Sequence, residues 1–169
     1  TAGGQYNVAI GNYALDALTS GDANTAVGYD AMTANNTGVE NVAIGYKALE
    51  DNTTGAGNTT VGSQSLATNT TGAQNSAFGR YALLLNTTGS NNTALGEESL
   101  AANTTGANNV AVGNDALAAN TTGTRNLAIG TNAYQASDTE NDNIAIGYQA
   151  MITNTAGGTL NVAVGNYAL

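Results

Sequence analysis

Apolar and polar positions along this chain come in short bursts. Val8-Ala9-Ile10 sits between Asn7 and Gly11, and the burst Asn-x-Ala-x-Gly then returns at Asn24, Asn41, Asn58, Asn75, Asn92, Asn109, Asn126 and Asn143, each seventeen residues on. A tenth copy, at Asn161, follows after eighteen. Self-similarity at so short a period is the mark of stacked supersecondary units. With the Asn as position 1, position 4 is always large and apolar, position 3 is Ala except at Thr60, and position 2 mixes Val, Ile and Leu with Thr and Ser. Alternation of this kind predicts a short strand over positions 2 to 4. Position 8 is Ala or Ser and position 9 is Leu, Met or once Tyr134, which predicts a second short strand. Nothing has helical period. The chain reads as all-β: a parallel β-solenoid of about ten 17-residue coils, one repeat domain over residues 1–169.

Position 5 is Gly in every coil: Gly11, Gly28, Gly45, Gly62, Gly79, Gly96, Gly113, Gly130, Gly147 and Gly165. Such a fixed Gly predicts a corner whose backbone geometry is closed to residues with a Cβ. The opposite turn is Asn-Thr-Thr-Gly, as at Asn52–Gly55, Asn69–Gly72, Asn86–Gly89, Asn103–Gly106 and Asn120–Gly123. Asn and Thr bond to nearby backbone in turns, and Gly is expected to supply positive φ. Eight of nine such turns keep the Gly; the exception, Ser137-Asp138-Thr139-Glu140, should be the most irregular. The column of position-1 asparagines, from Asn7 to Asn161, has the composition of a stacked amide ladder along a parallel axis. Charges point the same way, since each basic residue has a carboxylate one coil away in its own column. Lys47 falls beside Asp30, Arg80 beside Glu97 and Arg125 beside Asp142.

The strand has two faces to cover. Position 4 demands burial, and a solvent-facing position 3 would drift toward polar residues rather than stay Ala. The expectation is a sheet with position 4 turned into its own coil and the Ala column covered by neighbouring chains. A longer period is also present: residues 1–15 and 155–169 match at twelve of fifteen positions, 154 residues apart. The chain is therefore expected to be a segment of a longer fibre with a 154-residue super-repeat.

Composition narrows the chemistry. There is no Cys and no His, which removes disulfides, thiolate and imidazole metal sites and histidine base catalysis. The net charge of −9 disfavours nucleic acid. No apolar run approaches membrane-spanning length. The twelve carboxylates are scattered, the calcium-binding Gly-Gly-x-Gly-x-Asp pattern is absent, and no phosphate-loop Lys-Ser/Thr occurs. No cofactor, metal site or enzymatic activity is expected.

Asn7–Gly11 and Asn41–Gly45 resemble the head-repeat motif of trimeric autotransporter adhesins of the YadA type. The longer string at Asn103–Leu117 is similar to repeats of tail-fibre proteins. The resemblance covers all ten coils, though the adhesin heads use shorter ones. It implies a left-handed β-roll, three rolls side by side, and a place on a cell surface or virion. The expected role is the shaft or head of an extracellular homotrimeric fibre that extends a binding end, the trimers standing singly or joined into an end-to-end filament. The alternative is direct recognition of glycan, matrix or ice, or of a host-surface protein receptor, through a repeated face. For that role the Tyr residues at positions 6 and 7 could stack on sugars, and the paired Thr could meet ice. The Asn-x-Thr sequons at Asn52 and Asn69 could carry glycans, but turn chemistry explains them better.

Overall fold

A computed structural model describes residues 3–136, 138–152 and 158–169. One strand forms per coil: β1 (Val8–Ile10), β2 (Thr25–Val27), β3 (Val42–Ile44), β4 (Thr59–Val61), β5 (Ser76–Phe78), β6 (Thr93–Leu95), β7 (Val110–Val112), β8 (Leu127–Ile129), β9 (Ile144–Ile146) and β10 (Val162–Val164). They make a single parallel sheet in chain order, a β-solenoid of about nine turns. Position pairs with like position at every step, Ala26 with Ala43 for example. The eighteen-residue step keeps that register, Val162 lying beside Ile144.

The facing of the strand is the reverse of the sequence expectation. The position-3 column points into the coil and is buried from β2 onward, as at Ala26, Ala43, Ala77 and Ala94. Position 4 points out. The cause is width: Ala at position 3 meets Ala at position 8 and the large residue at position 9, and together these form the core. Small side chains suit this position, Ala in nine coils and Thr in one. Thr60, the one departure, fits by donating its hydroxyl to Val42 O at 3.4 Å.

The second expected strand does not form. Positions 8 and 9 lie in a run of turns, because positions 7 and 9 both take left-handed backbone, Lys47 at φ 54° and Leu49 at φ 54° in the third coil. Position 17 does the same, as at Glu40 (φ 58°). Such residues cost about 1–3 kcal/mol each. The stack holds them because each still sends its N–H along the axis. Glu40 N donates to Asp22 O, Lys47 N to Tyr29 O and Leu49 N to Ser65 O, at 2.9–3.0 Å.

The two glycine columns work differently. At position 5 the corner expectation stands: Gly62 has φ 142°, and a Cβ there would sit 2.4 Å from Gly79 O. The turn glycines do not take positive φ. Gly55 is excluded from carrying a side chain by contact alone, its Cβ falling 2.4 Å from both Gly72 O and Asn52 Oδ1.

Candidate association face

Two amide ladders brace the coil from inside. From Asn24 to Asn161, the backbone N–H of each position-1 Asn donates to Oδ1 of the Asn one coil earlier, at 2.8–3.0 Å. Its Nδ2 donates to the carbonyl of position 15 in the following turn, at 2.7–2.9 Å, from Asn7 to Asn143. Direct Nδ2-to-Oδ1 bonds between neighbours are longer, 3.1–3.2 Å, and join Asn7 through Asn92 and then Asn143 to Asn161.

A second ladder stands at position 12, where sequence reading saw only turn residues. Asn52, Asn69, Asn86, Asn103 and Asn120 each donate Nδ2 to the previous Asn Oδ1 at 2.7–2.9 Å, beginning from Asn35. The same amide also reaches the turn glycine, so Gly55 O accepts from both Asn41 and Asn52. An Asn at one position of turn after turn, each three residues before a Gly, was the available signal. Asn52 and Asn69 are wholly buried, so the folded chain does not present these sequons. Beside this ladder the first Thr of each turn donates its hydroxyl to the next coil's backbone, Thr70 to Thr87 O at 3.0 Å, while the second Thr is exposed.

At the eighth turn Ser137 lies outside the described residues. Among the described residues, Asn120 Oδ1 is buried with no hydrogen-bond partner. Glu140 replaces the turn Gly and is buried, its carboxylate accepting from the Asp138 and Thr139 N–H groups at 3.1 Å each. Tyr134 fills the core in place of Leu, and its hydroxyl accepts from Asn143 Nδ2 at 2.6 Å.

The basic residues meet carboxylates. Arg125 grips Asp142 with two hydrogen bonds, 2.6 and 2.8 Å. They hold the Asp142 carboxyl below its ordinary value. Arg80 Nε donates to Glu97 at 2.9 Å. Lys47 lies 3.8 Å from Asp30 but closer, 2.7 Å, to Glu50 of its own coil, a partner the column reading missed. The hydrogen bond to Glu50 is the main reason its pKa is raised. Five tyrosines meet one another near the two ends of the stack. Tyr29 and Tyr46 stack at 5.6 Å, Tyr13 meets Tyr29 edge-on, and Tyr148 meets Tyr167 likewise. Tyr29 and Tyr46 turn ring faces toward each other rather than forming one flat platform.

What remains uncovered is the outer surface of the sheet. Positions 2 and 4 form two columns, twenty residues without a charge among them. Ile44 is 40% exposed, Phe78 37% and Leu95 50%, within the stack and away from its ends. A face three residues wide and ten strands tall measures roughly 10 by 45 Å. At about 450 Å² it matches the largest apolar patch of an ordinary monomer, about 300–600 Å², a patch that is often functional. Among the described residues no group of three or more carboxylates is placed to hold a metal ion, and no helix is long and apolar enough to cross a membrane. No family model, curated protein or solved structure matches this chain.

Proposed function

We propose that this chain is the shaft or head segment of an extracellular homotrimeric fibre, on a bacterial surface or a virion, which holds a binding end away from its anchor. The observation that supports the reading is the uncharged apolar face running past every coil. All twelve carboxylates lie in other columns, so copies with a net charge of −9 can approach here without facing like charges. The sequence put contact between copies at the Ala column; with those alanines buried, positions 2 and 4 are the surface this reading uses instead. The role is mechanical and not catalytic. The coils give about 45–50 Å of rod, with hydrogen bonds running along the axis, and repetition of the 154-residue unit would lengthen it.

Direct binding is the competing role, and the exposed Tyr29 and Tyr46 are its best support. Their mutual stacking leaves edges, not a shared ring face, for a sugar. Residues 1–169, immobilised and challenged with glycan arrays and host cells, separate the two. A shaft is inert. Specific retention, lost on Tyr29→Ala and Tyr46→Ala, would transfer the function to this surface.

A further inference from the structure

Oxidants find few targets on this chain. Cys, Trp and His are absent. Met oxidises according to its exposure, and both methionines, Met32 and Met151, lie in the core. Phenols remain: of the eight tyrosines only Tyr134 is buried. We propose that Tyr29 and Tyr46 are an oxidative cross-linking site, where hydrogen peroxide activated by a haem peroxidase joins the two rings as dityrosine. The inference concerns a single chain and does not rest on the association of copies.

Each of the two tyrosines directly follows a corner glycine, Gly28 and Gly45, at the same place in successive coils. Bonds along the axis fix their spacing, Lys47 N donating to Tyr29 O at 2.9 Å and Gln64 N to Tyr46 O at 2.8 Å. The ring centres are 5.6 Å apart and the planes lie 12° from parallel. The other meeting pairs, Tyr13 with Tyr29 and Tyr148 with Tyr167, stand at 89° and 86°. Coupling joins an ortho carbon of each ring. Nearly parallel neighbours reach that contact by sliding their edges together, whereas a T-shaped pair must first turn one ring. Tyr29 is 44% exposed and Tyr46 49%, so an oxidant reaches both. Tyr6 is more open, at 85%, but meets no other ring among the described residues.

In the reaction each phenol gives up one electron and its hydroxyl proton, leaving two phenoxyl radicals. These pair their odd electrons in one carbon–carbon bond between ortho carbons. The hydrogens on those carbons then move to the oxygens and restore both phenols. Two hydrogen atoms leave the chain, and one hydrogen peroxide is reduced to two waters. Coupling inside a pair already held together outruns collision between chains. The bond ties the second coil to the third.

The test treats dilute residues 1–169 with a haem peroxidase and hydrogen peroxide. Dityrosine fluorescence should appear in a chain of unchanged length on a denaturing gel, lighter by two hydrogens, with mass spectrometry finding Tyr29 linked to Tyr46. Tyr46→Phe keeps a ring in place without its phenol and should cut the fluorescence about tenfold, while Tyr6→Phe leaves it unchanged. A main link at another pair, links chiefly between chains, or no dityrosine where free tyrosine couples under the same conditions, overturns the assignment.

Discussion

At Gly62 the backbone turns with φ 142°, and an added Cβ would lie 2.4 Å from the carbonyl oxygen of Gly79. Gly62→Ala combines a strained backbone with a clash against backbone that cannot move aside. A loss of about 3 kcal/mol or more is expected, read as a fall in the thermal midpoint by circular dichroism. Gly57 is the control. Its φ is 68°, the nearest atom to an added Cβ is Gln74 Cγ at 3.6 Å, and Ala23 already occupies the equivalent position in an earlier coil. Gly57→Ala should change stability by less than about 1 kcal/mol. The asparagines of the second ladder are tested at Asn69. Asn69→Ala leaves the buried Asn52 Oδ1 without its 2.8 Å bond and removes one of the two bonds of Asn86 Nδ2, which keeps Gly89 O. At about 1–3 kcal/mol for the orphan and about 0.5–1.5 kcal/mol for the lost bond, urea denaturation should show a loss of about 2–4 kcal/mol. The need for Gly at both turns was legible from its repetition. The reason at the second turn was not, because a positive φ and a forbidden Cβ leave the same mark in a sequence.

The strand itself was legible from period two, but its polarity was not. Alternation says that two faces differ and does not say which is inside. That depends on the width of the coil, which the turns at positions 7, 9 and 17 set by left-handed residues as varied as Lys47, Leu49 and Arg125. No composition signal distinguishes such positions from extended ones, and positions 8 and 9 were read as a strand for that reason. Between coils, the ion pairs carry a pH dependence of definite sign. Asp142 has a folded pKa below its ordinary 3.8, chiefly through hydrogen bonds from Arg125. The stability it contributes is complete above the unfolded value and is lost as the pH falls through the folded one. Asp142→Asn should lower the thermal midpoint slightly at neutral pH, and the two curves should converge in acid well below 3.8. Asp51 has the opposite sign. Burial, and then the neighbouring Glu50 charge, raise its pKa, so its ionised form costs stability as the pH rises through the folded value. Asp51→Thr, the residue found at Thr68 in the same column, should raise the midpoint at neutral pH and lose that gain in acid.

For the whole molecule, the turns and the strand serve different ends. Core, ladders and hydroxyl columns are built within one chain, and among the described residues they leave the outward surface of the sheet uncovered. Ladder bonds along the axis suit a rod under tension, and an uncharged flank suits rods that stand side by side. The direct measurement is the mass of residues 1–169 in solution by light scattering across a dilution series. The account predicts three times the 16.8 kDa of one chain, persisting on dilution and falling to one when Ile44 and Ile129 are both replaced by Lys. A mass of one chain at every concentration, with the position-4 side chains open to water, would contradict it.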